Sequence, residues 1–241
     1  MPVFDAGAAD LQVLASSALR PVLEQVAPDF ERSTGHRVMF SWGASYGQAD
    51  DALPARLAAG QPVDAGIMIA DALQTQIHLG HFRADTRVDL AVSRTGLAVR
   101  RGARAPDIRT IEGTRRSLLE ARSVAVSNGV SGAYIVDTLL PLLGIDDHVA
   151  RKTMIVKAPE LVGQALLRND AEVGMQQMSE LLAVPGIQVV GPLPEALQRP
   201  NVIAAAVSAD ARHPEAAAAW IAYLGTARVA QRLRQAGFDP K

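Results

Sequence analysis

The chain has 241 residues, a net charge of -1, hydrophobic residues at 49% and charged residues at 20%. That length suffices for one large domain or two lobes with real cores, and the near-neutral charge excludes non-specific attraction to nucleic acid or anionic membranes. The absence of cysteine excludes disulfides, thiolate catalysis and cysteine-held zinc or iron–sulfur clusters.

The opening "MPVFDAGAAD" has neither the basic region nor the apolar run of a leader. The reading is therefore periplasmic if a leader has been removed and cytoplasmic otherwise. No run has the length of a membrane span, so membrane insertion is not expected. "LQVLAS" (residues 11–16) reads as a strand. Leu19, Val22, Leu23, Val26 and Phe30 follow at helical spacing, with Pro21 in the first turn and Gly35 as a stop. "RVMFSW" (37–42) is the next strand, "GQADDALPARLAAG" (47–60) a helix, and "DAGIMIA" (64–70) a third strand before a helix through Leu79. "VDLAVSRTGLAVRRG" (88–102) is a long extended segment.

A helix around "RRSLLEA", a strand "SVAVS" and a helix "AYIVDTLLPLLG" come next. "TMIVKA" and "AEVGMQQ" read as strands, with "PELVGQALLRND" and "SELLAV" as the helices after them. "GIQVVGPLPEAL" holds another strand, and "NVIAAAVSAD" (201–210) is a second extended segment. Two helices, "HPEAAAAWIAYLGT" and "ARVAQRLRQAG", close the chain. This alternation predicts an α/β fold of parallel sheets with right-handed crossovers. The two extended segments predict two lobes joined by crossing strands, with a ligand cleft between them. Lobe 1 would comprise residues 9–91 and 202–241, and lobe 2 residues 92–201.

The chemistry lies in three turns. "NGVSGAYIV" leads a strand through Asn128, Ser131 and Gly132 into a helix. "VLASSALRPV" does so through Ser16 and Ser17, and "FSWGASYGQA" through Gly43, Ala44, Ser45 and Tyr46. In open α/β sheets ligands sit beyond the carboxyl ends of strands. A helix starting there offers free N–H groups and partial positive charge to an anion, glycine admits close approach, and serine adds a hydroxyl. The competing reading is that each serine caps its own helix.

"GASYG" also fits the G-x-S-x-G nucleophile elbow, with Asp64 and His213 downstream as possible triad partners. No oxyanion segment of the HGGG type precedes it, so a serine hydrolase is a minor alternative. His78 and His81 have no nearby carboxylate to complete a metal set. Neither G-x-x-x-x-G-K-[ST] nor G-x-G-x-x-G occurs, so no nucleotide cofactor is signalled. No metal or other cofactor is expected.

"LQVLASSALRPVLEQVAPDFERSTGHRVMFSWGAS", "LAAGQPVDAGIMIAD" and "GFDP" resemble the periplasmic molybdate-binding proteins of ABC transporters, over nearly the whole chain. The resemblance implies the two-lobed type II periplasmic binding fold, an anion held by serine hydroxyls and helix-start amides, and a transporter permease as partner. It places family ligand positions on Ser45, Ser131 and the backbone near Val162. The first family serine falls on Ala18, just after Ser16 and Ser17. The family tyrosine falls on Gln177, beside Gln176. These departures imply a ligand larger than a compact oxyanion.

"QQMSELL" and "SRTGLAVRRGA" resemble a branch that includes proteins similar to aconitate isomerase. Arg94 could pair with a ligand carboxylate or form a surface salt bridge. Two functions follow. One is a monomeric receptor that captures an organic di- or tricarboxylate, or an oxyanion, for an ABC transporter. The other is an isomerase that moves a proton on an unsaturated carboxylic acid, for which Tyr46, Tyr134 and Glu180 are possible bases. No spacing marks one of them, so the catalytic residue is unassigned.

Overall fold

The computed structural model describes residues 8–47, 49–157 and 159–241. The leader reading falls on the first seven residues, outside those described, as do Gln48 in the predicted second helix and Ala158 after the "TMIV" strand. The chain begins with β1 (Asp10–Ser16), α1 (Arg20–Thr34), β2 (Arg37–Gly43), α2 (Leu53–Ala58), β3 (Ala65–Ile69), α3 (Ala70–His78) and β4 (Val88–Ser93). After Arg94 it enters a second sheet with β5 (Thr95–Arg100), α4 (Ile111–Glu120), β6 (Val124–Ser127), α5 (Val130–Tyr134), α6 (Leu140–Leu142) and α7 (Asp146–Ala150). That sheet is completed by β7 (Thr153–Val156), α8 (Val162–Leu167), β8 (Val173–Gln177), α9 (Met178–Leu182) and β9 (Ile187–Pro192). The chain returns through β10 (Asn201–Val207), α10 (Pro214–Leu224) and α11 (Ala227–Gln235), and ends in β11 (Phe238–Pro240).

One sheet has the order β11-β4-β10-β3-β1-β2 and the other β7-β6-β8-β5-β9. Contacts divide the chain into two units. The first runs up to Val92 and includes Asn201–Gln235 and Asp239–Lys241; the second comprises Ser93–Pro200 and Ala236–Phe238. In the second unit, neighbouring residues of one strand serve opposite cores, as the two-residue period requires. Leu97, Val124 and Val126 pack with Ile135 and Leu139 on one face. Ala98 and Ala125 pack with Val162, Leu166 and Leu181 on the other. Burial on both faces is why these strands read as unbroken apolar runs. In the first unit Leu14, Leu53, Leu73 and Phe82 form one core. Phe30 meets Trp220 edge-on, with ring centroids 5.0 Å apart.

The sheets are mixed rather than parallel. β1 pairs parallel with β2 and β3, and β6 with β7 and β8. β10 runs antiparallel to β3, and β5 antiparallel to β8 and β9. β5 and β10 are the strands by which the chain enters a sheet from the other one, so no helical crossover sets their direction.

The predicted helix over 47–60 forms only at Leu53–Ala58, with Pro54 in its first turn. The helix predicted from Ala133 starts earlier, at Val130, and contains a π-helical turn at Ile135–Leu139. That turn precedes Pro141, which has no N–H to continue a regular ladder. α7 and β11 carried no clear signal in the sequence. No helix among the described residues is long and apolar enough to cross a membrane.

Candidate functional site

In the first unit, the parallel strands β1, β2 and β3 end on a common edge. Ser16 is the last residue of β1, lies opposite Gly43 at the end of β2, and is buried. It precedes a single 3-10 turn (Ser17–Leu19) and makes no side-chain cap bond to it. Ser17 and Ala18 are exposed. Ser45 lies two residues beyond Gly43 and is 5% exposed. Its Oγ accepts the N–H of Ile69, at the start of α3, at 3.1 Å. With the oxygen so engaged, the hydroxyl hydrogen remains to donate elsewhere. Tyr46 is exposed.

The same geometry removes the elbow. Residues 46, 47 and 49–52 form bends and turns, and among the described residues no helix starts before Leu53. Asp64 is also committed. Its carboxylate accepts the N–H groups of Gln12 at 2.8 Å, Arg212 at 2.8 Å and His213 at 3.0 Å. It is a buried splice between segments, and the bond it makes to His213 is to the backbone N–H, not to the imidazole.

In the second unit, β6 and β8 are parallel neighbours that end together. Ser127 closes β6, and its Oγ lies 3.2 Å from Ser131 Oγ, both buried. Gly129, not Ser131, is the N-cap of α5, and no side chain caps that helix. Ser131 does not cap its helix; its hydroxyl pairs with that of Ser127. Gly132 is required by packing, because a Cβ there would stand 1.6 Å from the Ser127 carbonyl oxygen. Asn128 is exposed, and its N–H donates to Val156 O at 2.9 Å.

The end of β8 carries a denser network. Gln176 is 2% exposed, and its Oε1 accepts the Val162 N–H at the start of α8 at 2.8 Å. Gln164 takes the adjacent Leu161 N–H at 2.8 Å. Two of the helix-start donors of α8 are therefore occupied by amide side chains. Glu180 lies in the first turn of α9 and is half-buried. Desolvation pushes its pKa above the usual carboxylate range. Ser93 is buried and donates to Gln177 Oε1 at 2.7 Å. That bond fixes the Gln177 amide, leaving its NH₂ to serve as a donor.

Arg94 forms a salt bridge with Glu195. Its carbonyl accepts the Met178 N–H at 2.8 Å, which ties β5 to α9. Tyr134 donates its hydroxyl to Leu197 O at 3.0 Å, and burial raises its pKa.

The structure therefore gathers Ser16 and Ser45 on one strand-end edge. On another it gathers Ser131, Val162, Gln176 and Gln177. Ser17, Tyr46 and Asn128 are exposed beside these edges, and Arg94 holds an acid of its own unit. Sequence reasoning missed Ser93 and Ser127, which end buried strands, and left Glu180 out of the ligand set. The position of Glu180 three residues after Gln177, the third helical position after an N-cap, was a usable signal.

The chain matches the family described as bacterial extracellular solute-binding protein over residues 11–239. It is 36% identical over 230 residues to an aconitate isomerase from Pseudomonas sp, covering 95% of this chain and 87% of that one. Among solved structures, it superposes on a substrate-binding domain assigned to a molybdenum ABC transporter from Clostridium difficile with a TM-score of 0.81, at 18% identity, covering 96% and 99% of the two chains. The periplasmic molybdate-binding protein of Azotobacter vinelandii gives 0.70 at 20% identity, covering 95% and 98%. At such identities the structural matches establish the fold.

Proposed function

We infer the function of this chain from its family: it belongs to the bacterial extracellular solute-binding proteins, with the type II periplasmic binding fold. We propose that it binds a small organic di- or tricarboxylate and, as a solute receptor, delivers it to an ABC transporter permease. The observation that carries this reading is the second unit's strand-end edge. There the Val162 N–H, a natural donor to a compact oxyanion, is filled by Gln176 Oε1, while Ser93 holds the Gln177 amide. A ligand on this edge meets amide and hydroxyl groups from three elements, which suits a carboxylate with several separated oxygens. Ser16 and Ser45 are the donors assigned to the first unit. The proposed ligand-binding set comprises Ser16, Ser17, Ser45, Tyr46, Arg94, Asn128, Ser131, Gly132, Gln176 and Gln177, with Val162, whose N–H is filled, acting only through Gln176. The test is thermal unfolding with citrate, cis-aconitate and trans-aconitate against molybdate and sulfate at equal concentration. Carboxylates should raise the transition most; a shift with molybdate alone would reverse the choice of ligand.

A second reading is isomerisation of an unsaturated tricarboxylic acid. It is favoured by the 36% identity, over 95% of the chain, to aconitate isomerase. Both readings require the same ligand class. They differ in whether a base acts on carbon, and proton NMR with cis- and trans-aconitate in heavy water separates them.

A further inference from the structure

A glutamine amide can sit either way round in almost the same space, and its hydrogen bonds decide which end points where. At the end of β8 two neighbouring glutamines have that choice made for them. The Val162 N–H can only donate, so Gln176 turns its oxygen to it, at 2.8 Å. Gln177 Oε1 is taken by the hydroxyl of Ser93 at 2.7 Å. Ser93 closes β4 in sequence and belongs to the second unit by its contacts.

A serine hydroxyl can donate or accept, so Ser93 fixes Gln177 only because its own direction is fixed. Ser93 is 4% exposed, and the bond to Gln177 is its only side-chain hydrogen bond among the described residues. A flipped Gln177 would make Ser93 the acceptor and strand its buried hydroxyl hydrogen, which is costly. The main chain around the pair is pinned as well. Arg94, next to Ser93, accepts the N–H of Met178, next to Gln177, at 2.8 Å. Thr95 lies opposite Gln177 in the β5–β8 ladder. Gln198 accepts the Thr95 N–H at 3.0 Å and donates to the Thr95 carbonyl at 2.9 Å. Burial of a serine explains why it seeks an acceptor. It does not explain the end of Gln177 that is left over. Gln177 is half-buried, and no hydrogen bond joins its NH₂ to another described residue.

We propose that Ser93 is a positioning residue for anion recognition: it holds the Gln177 amide so that the NH₂, and not the oxygen, meets a carboxylate of the ligand. The inference rests on the carboxylate reading above and adds to it the residue that sets the polarity of Gln177. Without the Ser93 hydroxyl the amide is free to turn its oxygen outward, and that end repels a carboxylate. An ammonium group at the same place needs an acceptor, which the pinned amide does not offer. The position therefore suits the ionised acid groups of a di- or tricarboxylate and disfavours the cationic end of an amino acid.

The test is a double-mutant cycle on the full chain. Wild type, S93A, Q177A and the double variant are each titrated calorimetrically with trans-aconitate. Q177A should weaken binding at least about tenfold, the loss of one hydrogen bond to a charged group. S93A alone should weaken it about three- to tenfold. In the Q177A background S93A should change it by less than about twofold, because Ser93 then has no amide to position. In ¹⁵N-labelled protein the Gln177 NH₂ signal, identified by its absence from Q177A, should shift on adding trans-aconitate to wild type and shift less in S93A. S93C, of similar shape with a weak donor, should fall between wild type and S93A; if S93A does not fold, S93C and S93C/Q177A supply the same comparison. Equal weakening by S93A in both backgrounds would make Ser93 a support of the fold or a direct ligand group, and either overturns the proposal. Undiminished binding in S93A overturns it while leaving the carboxylate reading standing. No binding of trans-aconitate by wild type removes the carboxylate reading itself, and the proposal with it.

Discussion

Ser45 shows how one side chain can serve the fold and a ligand together. Its oxygen accepts the Ile69 N–H at 3.1 Å and its hydrogen is left to donate. Ser45→Ala should therefore weaken anion binding by about 1.5–3 kcal/mol, the worth of a hydrogen bond to a charged partner. It should also lower stability, because the Ile69 N–H loses its acceptor; calorimetry and denaturant melts measure the two losses. Glu180 gives a prediction about pH. Its folded-state pKa lies above the ordinary glutamate value of 4.5, so between those two values the folded state binds more protons than the unfolded state. Stability must fall as pH rises through that window. Glu180→Gln should remove this fall and raise the melting temperature at neutral pH relative to wild type. An unchanged pH profile would show that the group is not desolvated. Ser45 and Ser131 were legible because serine beside glycine, between an apolar strand and a helix, is a turn with a mechanism. Ser93 and Ser127 were not, since a serine ending a buried strand looks the same whether it faces a ligand or a neighbour.

At the scale of elements, chain order was legible and direction was not. "VDLAVS", "TGLAVR" and "NVIAAAV" have the same apolar, β-branched character as the strands of the parallel core. Nothing in them announces that β5 and β10 run antiparallel to their neighbours. Helix ends were legible where backbone geometry imposed a residue, as at Gly35, whose left-handed φ of 78° closes α1. The junction of β6 with α5 depends on Gly132, where a Cβ would lie 1.6 Å from the Ser127 carbonyl oxygen. Gly132→Ala should cost at least about 3 kcal/mol, because only main chain can yield there. Urea unfolding checks this. A loss below 1 kcal/mol would mean that the strand end and the helix start separate easily, and would weaken the assignment of Ser127 and Ser131 to one rigid site.

For the whole molecule, the alternation of strands and helices with two extended segments predicted two sheets. The structure has two, one containing β4 and β10 as neighbours. Ligand identity is less legible, because it depends on which donors the fold has already used. The sequence places Val162 and Gln176 fourteen positions apart and does not announce their bond. Binding to the folded form alone stabilises it in proportion to the logarithm of ligand concentration over Kd, so affinity for a carboxylate must appear as a concentration-dependent rise in Tm.

The most direct test of carboxylate recognition is a calorimetric titration of the full chain with trans-aconitate, with molybdate as the competing titrant. Saturable binding of trans-aconitate, weakened by Ser45→Ala and by Gln177→Ala and unaffected by excess molybdate, is the predicted result. Tight binding of molybdate with no heat from trans-aconitate would contradict it.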